Sequence, residues 1–100
     1  MTISNLPAVH PGEILREEYL LPLGLSAGSL ARRLNVPRTR IERLATEQTG
    51  VTPDTALRLA KFFGTSPEFW MNMQAGYDIK IEAAAKKGEL ARIKALEAAA

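Results

Sequence analysis

The chain has 100 residues, of which 46% are hydrophobic and 24% are charged, and its formal net charge is +2. This length fits one domain with one hydrophobic core, and this composition is typical of a folded protein rather than a disordered one. The absence of cysteine excludes a disulfide scaffold, thiolate catalysis and cysteine-ligated zinc, and it fits a reducing compartment. No apolar run approaches the ~20 residues that a membrane helix needs, and no secretory signal is visible, so we expect a cytoplasmic protein without membrane contact.

Prolines, caps and apolar spacing predict an all-α fold with five helices and no strand. After an irregular segment at residues 1–10, Pro11 suits the first turn of a helix that residues 22–24, Pro-Leu-Gly, bring to an end. Residues 52–54 and 66–68 share one pattern of a capping hydroxyl, a proline and an acid, which predicts two further helix starts. From residue 82 the chain is rich in alanine, and we expect a helical or partly frayed tail that Gly88 interrupts.

The predicted core lies on the inward faces of these helices. Aromatic side chains at helical spacing are far more often core residues than a ligand pocket, although some also suit a dimer interface. On this basis we expect a buried set in the second half of the chain, made of Ala56, Leu57, Leu59, Ala60, Phe62, Phe63, Phe69 and Trp70.

Residues 26–45 have the pattern of two short amphipathic helices joined by a tight turn. Such a pair needs a small residue where the helices cross, a turn residue that tolerates positive φ, an apolar corner residue and two buried residues one turn apart. Five positions meet these needs: Ala31, Asn35, Val36, Ile41 and Leu44. The spacing alone also fits a plain helical hairpin. Residues 26–50 contain five arginines and two glutamates, so the basic excess lies on this segment.

Several stretches outside that segment carry a resemblance to a known family. They are His-Pro-Gly-Glu at 10–13, Pro-Leu-Gly-Leu-Ser at 22–26, Val-Thr-Pro-Asp-Thr-Ala-Leu-Arg-Leu at 51–59, Phe-Phe-Gly-Thr-Ser-Pro-Glu-Phe-Trp-Met-Asn-Met-Gln at 62–74, and Tyr-Asp at 77–78. The chain resembles the phage-repressor-like (XRE) helix-turn-helix family, and within it the HigA-type antitoxins of HigB/HigA systems. Asn35 stands where the motif often has glycine, and we assign the alanine-rich tail no counterpart in the family.

The resemblance implies a fold, a function and partners. It implies a five-helix domain at residues 1–81 with the motif at 26–45, followed by a tail at 82–100. It also implies a homodimeric repressor that binds double-stranded operator DNA, represses its own operon and neutralises a HigB-type, mRNA-cleaving toxin. The alternatives are a stand-alone XRE-type regulator, or a binding module whose arginines meet an acidic protein instead of DNA.

In helix-turn-helix proteins the second helix of the motif lies in the major groove with its first residues at the base edges. Arg38 and Arg40 diverge by ~200° on a helix, so both cannot point into the groove. We therefore expect base contacts from Thr39, Arg40 and Arg43 and a phosphate contact from Arg38. Hydroxyls beside the motif helices suit phosphates. The predicted DNA-binding residues are Ser26, Ser29, Arg38, Thr39, Arg40, Arg43 and Thr46, with Thr49 the weakest candidate.

Each of these residues also has a purely structural interpretation, as a solvated charge or as a helix cap. Glu17 and Glu18 fit a solvated face, although an acidic patch would also suit a basic toxin. A single histidine, His10, offers no ligand set for a metal. Nothing in the sequence resembles a phosphate loop or a nucleophile with its base. We therefore expect no enzymatic activity, no cofactor and no metal.

Overall fold

A computed structural model describes residues 7–97, and this part of the chain forms six helices and no strand. The all-α prediction is confirmed. Helix α1 spans residues 11–23 and consists of three consecutive segments, Pro11–Ile14, Leu15–Leu20 and Leu21–Leu23. The other helices are α2 (Ala27–Leu34), α3 (Arg38–Ala45), α4 (Pro53–Phe63), α5 (Pro67–Ala85) and α6 (Lys87–Ala91). None of the helices within residues 7–97 is long and apolar enough to cross a membrane.

The middle segment of α1, Leu15–Leu20, is a π-helix. The Leu21 N–H donates to the Arg16 carbonyl, five residues back. Pro22 follows inside the helix, which ends within residues 22–24 as predicted. In a regular α-helix its ring would meet the carbonyl four residues earlier, and the wider turn before it is consistent with relief of that clash. The helix ends at Gly24, whose φ of 64° is the left-handed conformation that glycine adopts easily.

The predicted helix starts are confirmed by their capping bonds. The Ser26 hydroxyl accepts the Ser29 N–H at 3.0 Å before α2, and the Ser66 hydroxyl accepts the Phe69 N–H at 3.1 Å before α5. Thr52 caps α4 in the same way. Between α2 and α3, Asn35 has φ 58°, the left-handed conformation predicted for the turn. Local side-chain chemistry therefore fixes where these helices begin and where the turn lies.

Helix α1 packs tightly against the end of α3. The Gly12 backbone lies so close to α3 that an added Cβ would stand 1.9 Å from the Leu44 carbonyl oxygen. His10, buried at the start of α1, caps this helix because its Nδ1 accepts the Gly12 N–H at 2.8 Å. The Arg16 guanidinium donates to the Ala45 carbonyl oxygen, at the last residue of α3. The His-Pro-Gly-Glu sequence thus positions α3 from its C-terminal end.

The core is centred on Trp70, which is fully buried and donates its indole N–H to the Thr65 hydroxyl at 2.8 Å. Around it lie Leu15, Leu20, Leu30, Leu34, Ile41, Leu44, Leu59 and the smaller residues Ala31, Ala56 and Ala60. The prediction was wrong for Leu57, Phe62 and Phe69, whose exposed fractions are 59%, 36% and 38%. Helical geometry turns Leu57 away from the inward positions 56, 59 and 60. The Arg33 guanidinium lies over the Phe62 ring, and its Cζ is 5.8 Å from the ring centroid.

The C-terminal part is helical as far as Ala91, within the expectation of a helical or partly frayed tail. Helix α5 crosses residue 81 without a break and ends at Ala85, and the interruption falls at Lys86 rather than at Gly88, which lies inside α6. Leu90, Ile93 and Leu96 are exposed, and residues 92–97 contain no helix. The division into a domain at 1–81 and a tail at 82–100 stays a prediction, and residues 1–6 and 98–100 lie outside the described part.

Candidate nucleic-acid interface

Helix α3 divides into a buried and an exposed face. Ile41, Leu44 and Ala45 are buried, as their spacing predicted. The side chains between them are exposed: Arg38, Thr39, Arg40 and Arg43 all belong to this outer surface. The buried residues of α3 hold the helix to the domain and leave its first turns open to a large ligand.

The predicted residues line two depressions on either side of α3. The first lies between α3 and the loop that leads to α4, and Thr39, Arg40, Arg43 and Thr49 are among its lining residues. The second lies between the N-terminal ends of α2 and α3 and contains Ser26, Ser29, Arg32 and Arg38. Arg38 and Arg40 thus lie on opposite sides of α3, as the helical geometry predicted. Thr46 lines neither depression.

The side chain of Arg40 is held by an acidic residue of the next helix. Its Nη1 donates to the Asp54 carboxylate, and Arg58 donates its Nε to the same carboxylate oxygen at 3.0 Å. The hydrogen bond from Arg40, and then that from Arg58, lowers the pKa of Asp54. This contact is not predictable from local sequence, because 14 residues separate its partners.

The other two arginines of α3 have different surroundings. Arg38 pairs with Glu42 one turn later, at 3.1 Å, and its stem lies over Gly28 of α2. Arg43 and Thr39 have no ion pair or side-chain hydrogen bond within residues 7–97. These two residues are one turn apart on the same helix face, so their polar groups are free to meet a ligand together.

The hydroxyl groups of Ser26, Ser29 and Thr46 differ in whether they can still donate a hydrogen bond to a ligand. Ser26 uses its oxygen as the acceptor in the α2 cap, so its O–H remains available as a donor. Ser29 forms no side-chain hydrogen bond within residues 7–97. Thr46 already donates to the Glu42 carbonyl at 2.8 Å. A phosphate contact from Thr46 would require this bond to break, which favours its structural role at the end of α3.

The loop after α3 is fixed by a residue that sequence analysis did not single out for this role. Gln74 of α5 accepts the Val51 N–H at 2.7 Å and donates to Asp78 at 3.0 Å. A Cβ at Gly50 would stand 2.7 Å from the same Gln74 oxygen, so the loop and α5 are in close contact here. No local pattern identifies such a contact, because it joins positions 23 residues apart.

No cluster of three potential metal ligands occurs in the described range 7–97.

Helices α2 and α3 are short, cross each other after a turn residue in the left-handed conformation, and leave the outer face of α3 exposed. This arrangement defines the helix-turn-helix class of domain. The family model described as "Helix-turn-helix" matches residues 15–70. The chain therefore belongs to the helix-turn-helix family.

Curated relatives agree with this membership. Virulence-associated protein I of Dichelobacter nodosus is 55% identical over 78 residues, which cover 78% of this chain and 72% of that protein. Against two further curated relatives, both HTH-type regulators, the chain spans 64% and 61% of their length.

Two solved structures align with this chain over almost all of their own length. The antitoxin HigA of Pseudomonas aeruginosa, solved with the higBA promoter, has a TM-score of 0.86 and 39% identity, over 89% of this chain and 98% of that one. The antitoxin GraA in complex with its operator has a TM-score of 0.90 and 36% identity, over 98% and 100%. The resemblance to HigA-type antitoxins inferred from the sequence is confirmed.

Proposed function

We propose that this protein is a dimeric, sequence-specific DNA-binding repressor that inserts α3 into the major groove of an operator. The observation that carries this proposal is the outer face of α3, where Thr39 and Arg43 lie one turn apart without partners in residues 7–97. The two HigA and GraA structures named above contain promoter or operator DNA, which supports the same use of this fold. Binding to DNA would place the protein in the cytoplasm.

The roles of the individual residues follow from their surroundings. Thr39, Arg40 and Arg43 would contact base edges, and Arg38 would contact a phosphate from the other side of α3. Ser26 and Ser29 would donate to a phosphate at the start of α2, where helix N–H groups also favour an anion. Thr46 remains in the proposed set as its weakest member because its hydroxyl is already engaged.

A dimer follows from the size of the interface. A single small module buries too little surface for tight specific binding, and two-fold dimers that contact half-sites ~34 Å apart overcome this limit. The second proposed partner is a toxin of the HigB type, since the relatives include antitoxins by name. We propose no catalytic role: the exposed polar groups of α3 suit recognition, and the proposed activity is binding.

The decisive experiment compares Arg43→Ala with the parent protein. Fluorescence anisotropy would measure binding to a duplex selected from a random pool and to a scrambled duplex, at two salt concentrations. Loss of a base contact should weaken specific binding by ~1–3 kcal/mol and leave non-specific binding nearly unchanged. Arg92→Ala, which removes the same charge from the exposed tail, is the matched control. If Arg43→Ala binds the selected duplex as the parent does, α3 is not the recognition helix.

The antitoxin role has its own test. Co-expression with a neighbouring reading frame that encodes a small basic protein should yield a complex, and the complex should lack the mRNA cleavage of the free partner. A protein that binds its operator but forms no such complex would be a stand-alone regulator.

A further inference from the structure

Asp54, in the first turn of α4, connects three parts of the helix-turn-helix. Its carboxylate oxygen accepts Nη1 of Arg40 from α3 and Nε of Arg58 from the next turn of α4. Arg58 in turn donates its Nη1 to the Leu34 carbonyl at 2.8 Å, at the last residue of α2. A continuous set of hydrogen bonds therefore runs from the end of α2 through α4 to the exposed face of α3.

Stability of the fold does not explain this arrangement. The side chains of Arg40 and Asp54 are 42% and 53% exposed, and ion pairs this open to water contribute little to folding. The start of α4 also does not require the pair. Helix α5 begins with the same cap, proline and acid, and its acid, Glu68, has no ion pair within residues 7–97.

The bond to Asp54 leaves Arg40 able to recognise a base. Asp54 uses only Nη1 of this guanidinium, and the Nε and Nη2 hydrogens have no partner within residues 7–97. Two such donors match the O6 and N7 acceptors of guanine. A guanidinium that is already held loses less conformational freedom on binding than a free one. The carboxylate also repels phosphate groups, which disfavours a backbone contact by the same arginine.

We propose that Asp54 is a positioning residue that directs Arg40 to a base edge and thereby sets the sequence preference of this protein at one base pair. This inference rests on the proposed function, because it requires α3 to lie in the major groove. The pair gains strength once DNA excludes water from it, since the attraction between charges rises as the local dielectric falls. Asp54 itself need not touch DNA.

The test is Asp54→Asn, which keeps the shape of the side chain and removes its charge. Anisotropy titrations with the selected and the scrambled duplex give the ratio of the two affinities. We expect this ratio to fall about tenfold. Two released arginines should also strengthen non-specific binding and steepen its salt dependence by roughly one unit of slope. Glu68→Gln, an acid at the matching position of α5, should change neither quantity.

Two further variants separate positioning from a structural effect. Asp54→Glu, which restores the charge, should recover part of the lost ratio. In an Arg40→Ala background, Asp54→Asn should cause no further loss of the ratio, because the side chain that it positions is absent. Circular dichroism melts of every variant establish that the protein remains folded in the titrations.

The outcomes distinguish this inference from the function on which it rests. A parent that prefers the selected duplex and an Asp54→Asn variant that keeps the full ratio would overturn the positioning role alone. An equal loss in the Arg40→Ala background would overturn it as well, because Asp54 would then act without Arg40. A parent that binds both duplexes equally would overturn the proposed function and this inference with it.

Discussion

Replacing Gly12 with alanine should destabilise the protein by moving α1 away from α3. The added Cβ would stand 1.9 Å from the Leu44 carbonyl oxygen and 3.0 Å from both the Leu44 carbonyl carbon and His10 Nδ1. Because two of these three contacts are with backbone atoms, rotation of a side chain cannot relieve them. The two helices must therefore separate by roughly 1 Å in a densely packed interior.

The magnitude follows from two costs and one gain. Overpacking of this kind costs about 1–3 kcal/mol, and the fit at a backbone oxygen points to the upper part of that range. Distortion of the His10 cap loses part of a hydrogen bond, about 0.5–1.5 kcal/mol. The better helix propensity of alanine returns up to ~1 kcal/mol. We expect a net loss of about 2–3 kcal/mol, which lowers the melting temperature by ~10–20 °C in a domain of this size.

A second glycine provides the matched control. Gly76 lies inside α5, and no atom would come within 4 Å of a Cβ added there. Gly76→Ala should therefore stabilise the protein by ~0.5–1 kcal/mol. Melts followed by circular dichroism, at one fixed protein concentration, compare the two variants with the parent. A Gly12→Ala melting curve equal to that of the parent would refute the close approach of α1 to Leu44.

Two other residues give independent predictions. Gln74→Ala removes the acceptor of the Val51 N–H, so the free energy of unfolding should fall by ~1–3 kcal/mol in urea titrations. An unchanged urea midpoint would mean that water replaces the glutamine at no cost. The hydrogen bonds from Arg40 and Arg58 lower the pKa of Asp54. Its contribution to stability, which is small because the pair is exposed, is therefore complete above the usual carboxyl range and is lost as pH falls through the lowered pKa. Melting temperatures of parent and Asp54→Asn should differ by a small, constant amount from neutral to mildly acidic pH and converge only in stronger acid. Convergence already at mildly acidic pH would contradict the lowered pKa.

The features predicted correctly from the sequence are those that depend on near neighbours in the chain. Ser26, Thr52 and Ser66 cap helices through backbone groups three residues away, and Asn35 adopts the turn conformation that its side chain tolerates. Capping and turn formation of this kind can be predicted from a few consecutive residues. The buried stripe of α3 followed from helical periodicity for the same reason.

The features that sequence analysis missed join distant positions or depend on the shape of a neighbour. The bonds of Asp54 to Arg40 and of Gln74 to Val51 span 14 and 23 residues. Leu57 is apolar, as core residues are, but which way its side chain points depends on which side of α4 meets α5. The π-helical segment of α1 likewise depends on how its turns pack, so helical periodicity did not predict it.

The division of α3 into two faces has a consequence for how such proteins diversify. The residues that hold this helix in place, Ile41, Leu44 and Ala45, are separate from the exposed ones, and Thr39 and Arg43 have no polar partner in residues 7–97. Exchange of the exposed pair therefore leaves the folded domain intact. If Thr39 and Arg43 contact bases as proposed, new target sequences are accessible by substitution at these two positions, and related repressors in one cell can diverge in target without first evolving a new scaffold.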